Sequence, residues 1–498
     1  MERTVIGRPL TAAAAALIAT TAGACSGGGT TPNLPSARID YVDGAIEPII
    51  ARGERFVIEG FGFGTTPGKV RFARIGGGSV DVTVADSDWT LFTIATAVPD
   101  SAIAGRTALT VMTAGGVSLT AVIHILPRPS FNPSTFTWTA RTPYPGAPAG
   151  VALAAAEFPD ATGLRATLYT AGGAEPMQMT PDSGVYVAHT IVAGAGSIGN
   201  WARQRDVTDP TRSRVLPAPR AFAAAAVATP YNSRFTGNAL YVIGGIDATG
   251  RARGSVFSAN VTADSVSGTF TLLEPLPTPV AGAIAVVRRG RIYVIGGTDM
   301  LGHPQRTVYM GRIGSDGHID GWYTEPLLPG PRAYGSGLVR DGRAVTIGGV
   351  ADSVPPGGGL DPGTSRLVTG DTAPVSLLSG FFIGAWGSGS TLLPAGRSQF
   401  ALLDLGNTAL AVGGMYAGAS TNAAETLAAS VSGDSVGPFA GPVGANRIAD
   451  QTCLTQPAGT LVGPAGAVWR DADGTPHGLV VGGLDLNTQT RRSCAWGF

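Results

Sequence analysis

Residues 291–299 read "RIYVIGGTD", a short apolar run with a tyrosine that ends at two glycines. The pattern recurs along the chain in these segments: "TLYTAGG" (167–173), "LYVIGG" (240–245), "IYVIGG" (292–297), "AVTIGG" (344–349), "LAVGG" (410–414) and "LVVGG" (479–483). Successive copies stand 52 to 72 residues apart, counted between their first glycines. That interval is long for a solenoid repeat and fits a four-stranded propeller blade. The pattern therefore predicts six repeated β units.

Each glycine pair lies inside a larger unit. A strand of small residues precedes it, as in "AFAAAAVA" (221–228), and a longer strand follows, as in "TVYMGRI" (307–313). The last strand begins with an aromatic residue and ends in a proline-rich turn, as in "GWYTEPLLPGPR" (321–332). The unit resembles the kelch repeat, with the aromatic position taken by Trp201, Phe270, Trp322, Trp386 and Phe439.

The resemblance implies an all-β fold with a six-bladed kelch-type β-propeller over residues 134–498. In such a wheel the glycine pair ends a strand beside the next blade, where a Cβ would collide and where glycine also permits a positive φ. The sixth unit ends at residue 498 without its fourth strand. The segment "STFTWTARTPYP" (134–145) has the look of that strand, so we expect it to complete the last blade and leave no open sheet edge.

Residues 36–126 carry a different pattern. Runs such as "RFVIEGFGFG" (55–64) and "KVRFARI" (69–75) alternate in polarity between glycine and proline breaks, which is typical of a small antiparallel sandwich. The order resembles an IPT/TIG domain, an Ig-like module, with matches at 56–64, 70–72, 98–99 and 111–116. The resemblance implies a spacer or an interaction domain.

The N-terminus predicts export. Arg3 and Arg8 precede the apolar stretch "PLTAAAAALIATT" (9–21), which is too short to span a bilayer stably. The following "AGAC" (22–25) resembles the lipobox of bacterial lipoproteins, which implies a signal peptide over 1–24 and lipidation at Cys25. Residues 25–35 would then be a flexible tether to a membrane of the cell envelope, either the outer membrane or the cell surface. The alternative is a plain secretory signal with a free Cys25.

The other two cysteines, Cys453 and Cys494, form an even remainder in an exported chain, which favours a disulfide over two free thiols. The formal net charge is zero and no basic run occurs, so a nucleic-acid partner is not expected.

Catalytic patterns are weak. Kelch-type copper radical oxidases need two histidine ligands and a cysteine-linked tyrosine, and the five histidines here show no pair at metal spacing. No metal, cofactor or catalytic residue is therefore predicted. A carbohydrate-active kelch enzyme of epimerase or mutarotase type, which uses arginines and a carboxylate, stays an alternative.

Charged residues recur at two positions of the repeat. Arginines stand at the turn into the first strand, and aspartates follow the glycine pair: Arg220, Arg332, Arg397, Arg447, Asp247, Asp299 and Asp485. One interpretation is that they pair between blades. The other is that unpaired guanidinium groups at the channel mouth bind an acidic peptide or an anionic sugar. Under the second, replacing Arg332 and Arg397 together with alanine weakens such binding by more than about tenfold.

Two insertions, 351–382 and 448–464, could add recognition loops or serve only as filler. Taken together, the sequence predicts a lipid-anchored envelope protein that binds a glycan or a protein at the cell surface without catalysis. The alternatives are the epimerase-type enzyme and an architectural surface-coat subunit.

Overall fold

The structure is a computed structural model. It describes residues 5–6, 36–146, 149–160, 163–175, 180–190, 197–205, 214–340, 342–353, 366–378, 380–416, 425–433, 435–444, 448, 452–453, 456–457, 461–485, 490–491 and 493–498. These residues form strands, turns and the short 3-10 turn Asp86–Asp88, with no α-helix among them. The predicted all-β class is therefore confirmed. Nowhere in the described ranges is there a helix long and apolar enough to cross a membrane.

The first strands of the chain lie before residue 127. They are β1 (Val5–Ile6), β2 (Arg38–Val42), β3 (Ile49–Ala51), β4 (Arg55–Phe61), β5 (Lys69–Ala73), β6 (Ser79–Thr83), β7 (Thr93–Ala97), β8 (Gly105–Met112) and β9 (Ser118–Leu126). Strands β2 to β9 form two sheets, ordered β2-β4-β7 and β3-β9-β8-β5-β6. The alternating pattern places Phe56, Phe72 and Ile94 in one core that both sheets share. We refer to residues 36–126 as the N-terminal unit.

The rest of the chain contains six larger sheets, counted over the described residues, and we refer to 134–498 as the six-sheet unit. It begins with β10 (Thr139–Arg141). The first three sheets are β11 (Ala152–Asp160), β12 (Gly163–Ala171), β15 (Val185–His189) and β16 (Ala202–Arg203); β17 (Ala224–Ala228), β18 (Ala239–Ile243), β19 (Val256–Asn260) and β20 (Thr271–Leu272); and β21 (Ile284–Arg288), β22 (Arg291–Ile295), β23 (Val308–Ile313) and β24 (Ile319–Thr324).

The last three sheets follow the same order. They are β25 (Ser336–Arg340), β26 (Arg343–Ile347), β27 (Thr369–Pro374) and β28 (Gly387–Thr391); β30 (Ala401–Asp404), β31 (Thr408–Val412), β33 (Thr426–Ser432) and β34 (Ser435–Val436); and β37 (Ala465–Arg470), β38 (Pro476–Val481) and β41 (Ala495–Gly497). Short ribbons lie beside them: β13 (Ala174–Glu175) with β14 (Thr180–Pro181), β29 (Arg397–Ser398) with β32 (Met415–Tyr416), β35 (Thr452–Cys453) with β36 (Gln456–Pro457), and β39 (Leu484–Asp485) with β40 (Thr490–Arg491).

Two pairings join distant parts of the chain. Strand β1 pairs with the edge of the third sheet, Val5 opposite Tyr323. Because β1 lies in the segment expected to be removed as a signal peptide, we expect that sheet to have four strands in the mature protein. Strand β10 pairs antiparallel with β41, Ala140 opposite Trp496, and thereby gives the sixth sheet its fourth strand. The rings of Trp138 and Trp496 belong to one buried cluster.

The second strand of each sheet is the most deeply buried. Strands β18, β22, β31 and β38 are buried along their whole length. A strand covered on both faces needs a continuous apolar run rather than an alternating one, which is the pattern of "LYVI" and "IYVI". The glycine pair ends this strand at the point where the next sheet begins.

The glycine pairs have one geometry throughout. The φ angles are between 59° and 68° at the first glycine of each pair and between 85° and 105° at the second. A Cβ on Gly296 would lie 2.2 Å from the carbonyl oxygen of Arg332, which precedes the next sheet. The amide of Gly297 donates to that same oxygen at 2.9 Å. The predicted reasons for glycine, close approach and a positive φ, are both confirmed.

A cycle of six backbone hydrogen bonds links residues that precede the first strands of the six sheets. Each amide donates to the carbonyl oxygen of the previous member, at 2.7 to 3.0 Å, and Gly150 donates to the last one. The members are Gly150, Phe222, Gly282, Tyr334, Gln399 and Gly463, all with φ between 53° and 66°. We refer to this cycle as the backbone ring. The first strands also contact each other in the same order, and β37 contacts β11.

Candidate functional site

The N-terminal unit covers the face of the six-sheet unit that holds the hairpins between first and second strands. The amides of Ile46 and Glu47 both donate to the carbonyl oxygen of Pro230 at 3.1 Å. Asp43 forms a buried ion pair with Arg289, whose Nη2 donates to the Arg55 carbonyl oxygen at 2.8 Å. The N-terminal unit is therefore docked on the six-sheet unit through main-chain hydrogen bonds and charge pairs.

A cavity of about 500 Å³ lies between the two units. Each of the six sheets, or the hairpin beside its first strand, contributes to its wall: Ala155, Asn232, Val286, Leu338, Leu405 and Val468. Its volume is within the range of small-ligand sites, roughly 300–1,000 Å³. We refer to it as the central cavity, and it is the candidate functional site.

The charged groups of the central cavity are balanced. Its wall contains four carboxylates and four guanidinium groups, so their formal charges sum to zero: Asp43, Glu54, Glu157, Asp404, Arg288, Arg289, Arg340 and Arg470. The groups are also paired. Arg288 lies 2.5 Å from Glu54, Arg470 lies 3.2 Å from Glu157, and Arg340 lies 3.3 Å from Asp404.

Glu54 is the carboxylate that the N-terminal unit inserts among these arginines. Its Oε1 accepts from Arg288, and its Oε2 accepts from the Ala51 amide at 3.0 Å and lies 3.9 Å from Arg470. Burial alone would raise the pKa of Glu54, but Arg288, Arg470 and the Ala51 amide together lower it to about 2. Burial would likewise lower the pKa of Arg470, and Glu157 and Glu54 raise it instead.

The lowered pKa of Glu54 predicts acid sensitivity at the junction of the two units. A carboxyl with a pKa near 4.5 when unfolded and about 2 when folded stabilises the fold above that unfolded value and loses this contribution as the pH falls. We expect it to account for about 2 kcal/mol of the unfolding free energy lost between about pH 5 and pH 3.

Urea denaturation at several pH values in this range measures the unfolding free energy. That free energy should fall less steeply with pH for Glu54→Gln than for the natural protein. Asp320→Asn, which breaks the exposed pair of Asp320 with Arg312, is the control and should leave the profile unchanged. Parallel profiles for Glu54→Gln and the natural protein would contradict the assignment.

The arginines singled out in the sequence lie between strands rather than at a free surface. Arg220, Arg332 and Arg397 are 5%, 3% and 0% exposed. Arg332 pairs with Asp371 at 2.8 Å, and burial lowers its pKa although Asp371 acts in the opposite direction. Arg397 lies over the ring of Tyr416, 4.2 Å from its centroid, and burial lowers its pKa to about 9. Arg220 donates to Ser255 Oγ at 2.7 Å.

These side chains turn into their own sheets, while their carbonyl oxygens contact the glycine pair of the previous sheet. The pairing of Arg332 is with β27 of its own sheet, so it differs from the expected pairing between blades. Since so little of these guanidinium groups is exposed, alanine at Arg332 and Arg397 would first remove packing. The hypothesis that they bind an anionic ligand stays a prediction.

Two of the predicted aspartates, Asp247 and Asp299, organise their own loops. Asp247 accepts from the amides of Thr249 and Arg251 and pairs with Arg253. Asp299 accepts from the amides of Leu301 and His303, each below 3.0 Å. Asp485 is buried in β39. Side-chain caps of this kind hold a loop in shape and are common where glycine-rich turns must be fixed.

Several predicted positions lie outside the described residues, namely Cys25, Arg447 and much of the two insertions. Cys494 is disulfide-bonded, while the side chain of Cys453 lies outside the described part, so their pairing stays a prediction. In the second half of the first insertion, the hairpin after β27 contacts the N-terminal unit, where Thr93 Oγ1 lies 3.4 Å from the Leu378 carbonyl oxygen.

The charged residues of the central cavity were not singled out from the sequence. Arg288 and Arg470 each end a first strand, directly before the hairpin. Such a charge at the end of an apolar run is a usable signal. No such signal marks Glu54, because a glutamate is common at the exposed turn before a strand of a β-sandwich.

No family model matches the chain, and no curated protein matches it. Among solved structures the chain is similar to one titled "Structure of YjhT", at 14% identity over 71% of this chain and 95% of that chain, with a TM-score of 0.46.

Proposed function

We propose that residues 134–498 form a six-bladed kelch-type β-propeller and that residues 36–126 form an Ig-like domain of the IPT/TIG type. The propeller is supported by six sheets of one strand order, by the glycine pairs and by a backbone ring with one member before each sheet. The pairing of β10 with β41 supports closure by an N-terminal strand. The core shared by two packed sheets, antiparallel except for the parallel pairing of β3 with β9, supports the Ig-like domain.

The protein would be exported, anchored through a lipid on Cys25, and would act as a recognition protein of the cell envelope that binds a glycan in the central cavity. The observation that carries this proposal is the charge balance of that cavity. Carboxylates and guanidinium groups line it in equal number. A paired carboxylate or guanidinium still has lone pairs or N–H groups for a hydroxyl-rich ligand. A net charge of zero gives no advantage to an anion, so a neutral glycan suits the cavity better than the acidic ligand considered from the sequence.

Two other functions stay alternatives. An enzyme of epimerase type would convert anomers of a sugar, which NMR of the free sugar would detect. A coat subunit would form regular arrays, which tomography of cells would detect. The closely paired carboxylates favour binding, because a carboxylate held by two arginines is a poor proton acceptor.

The test is a glycan array with a cavity-filling variant. Val286 lies on the wall of the central cavity and makes no part of its ion pairs, so Val286→Trp should reduce the affinity for a bound neutral glycan by more than about tenfold. Thr269→Trp, at an exposed position, is the control and should bind like the natural protein. Binding that survives Val286→Trp, or an array on which only anionic glycans bind, would contradict the proposal.

A further inference from the structure

A second cavity, of about 450 Å³, lies beside the first at the edge of the junction. Its wall comes from strands β3, β8 and β9 of the N-terminal unit, from the first and sixth sheets and from the hairpin between β17 and β18 of the second sheet. Ile49 and Tyr231 line both this cavity and the central one. We refer to the second cavity as the outer cleft; it adjoins the central cavity at these two side chains.

The outer cleft has an apolar wall and one polar edge. Leu126, Pro159 and Leu164 form the wall. At the edge, Oε1 of Glu47 accepts from Arg106 Nε at 2.6 Å and lies 2.8 Å from His124 Nε2. Such a surface suits the alternating apolar and hydroxyl faces of a sugar ring.

Tyr231 lies between the outer cleft and the central cavity. It follows Pro230, whose carbonyl oxygen accepts the amides of Ile46 and Glu47, so the N-terminal unit fixes the backbone there. The ring of Tyr231 lies edge-on to that of His124, with centroids 5.9 Å apart. An aromatic ring at this position offers a stacking surface to a ligand that moves between the outer cleft and the central cavity.

The opposite end of the central cavity is obstructed. The first strands begin at the backbone ring and end at the hairpins under the N-terminal unit, so the ring lies at the far end. There the side chains of Phe222 and Tyr334 pack edge to face at 5.5 Å and are 8% and 6% exposed. A ligand that enters from that side would have to displace both rings.

We propose that the outer cleft is the entrance to the central cavity and its outer subsite, with Tyr231 and Ile49 as the gate. The inference rests on the proposed function for its ligand: a neutral oligosaccharide of two or more units, with its end unit in the central cavity and the next unit in the cleft against Tyr231. The entrance itself rests on the two side chains that line both cavities and on the obstructed far end, and it can be tested without any glycan.

The test measures the rate at which a small maleimide reacts with a cysteine introduced on the wall of the central cavity, Ala155→Cys, in the full chain carrying Cys25→Ser. Reactivity follows exposure of the thiol, so Tyr231→Ala should raise the rate and Ile49→Trp should lower it, each by about tenfold or more. Thr269→Cys, at an exposed position, is the control, and the rate of its reaction should not respond to either gate substitution.

Equal rates for Ala155→Cys in all three backgrounds would overturn the entrance. Acceleration instead by Phe222→Ala would place the route at the backbone ring and also overturn it. If no glycan binds on the array while the maleimide rates change as expected, the proposed function and the oligosaccharide ligand are contradicted. The proposal for the entrance would then still hold.

Discussion

Removal of the last four residues, 495–498, is expected to abolish the cooperative thermal unfolding of the six-sheet unit. These residues include β41, which lies between β10 and β38, so their loss leaves β10 without a partner and exposes one edge of β38. Trp496 is fully buried, and the ring of Phe498 packs on Trp138 and Phe136 at 5.1 and 4.9 Å. Loss of a buried aromatic side chain costs about 3–5 kcal/mol, and the total stability of a domain is only about 5–15 kcal/mol.

Calorimetry and near-ultraviolet circular dichroism of the truncated protein would measure this. The matched control removes four residues of the expected tether, 26–29, and should leave the transition unchanged. Deletion of residues 130–147, which contain β10, should reproduce the effect of the truncation from the other partner of the pair. A truncated protein that unfolds at the temperature of the full chain would contradict closure of the sixth sheet by β10.

Gly296→Ala is expected to destabilise the protein by about 3–5 kcal/mol. Two costs add at this position. The backbone has a φ of 64°, which an L-residue adopts only with strain, and the new Cβ would lie 2.2 Å from the Arg332 carbonyl oxygen. To relieve that contact the third and fourth sheets must move apart, which weakens the hydrogen bond from Gly297.

Two other glycines separate these costs. Gly76 has a φ of 82° and open space around it, so Gly76→Ala should cost only the backbone strain, about 1–2 kcal/mol. Gly330 has neither a positive φ nor a close neighbour, and Gly330→Ala should change stability by less than about 0.5 kcal/mol. Chemical denaturation of the three variants gives the comparison. If Gly296→Ala costs no more than Gly76→Ala, the close contact between sheets is not what selects glycine.

The sequence predicted those features that depend on local covalent geometry. A glycine is the residue that fits a positive φ beside a carbonyl oxygen, and a continuous apolar run is what a doubly covered strand requires. The positions of both could therefore be read from the chain. The segment around Trp138 was also found, because the last repeat was visibly short of one strand.

Features that depend on the direction of a side chain, or on contact between the two units, could not be predicted from the sequence. Phe222 and Tyr334 have φ angles of 53° and 54°, which bulky residues rarely adopt, so nothing in the sequence pointed to the backbone ring. The arginines were placed at the correct turn, but whether a guanidinium points outward or into its own sheet is decided by packing. The role of Glu54 depends on how the N-terminal unit docks on the six-sheet unit. The sequence patterns of the two units, each analysed alone, do not contain that information.

The backbone ring also limits how such a protein can change over generations. A linear array of repeats can gain or lose a copy at either terminus, because each copy touches only its neighbours. Six links that form a cycle have no terminus, so a duplicated or deleted copy would force every remaining contact to adopt a new angle at once. Diversity in proteins of this design should therefore accumulate in the loops and in the appended unit, while the number of repeats stays constant.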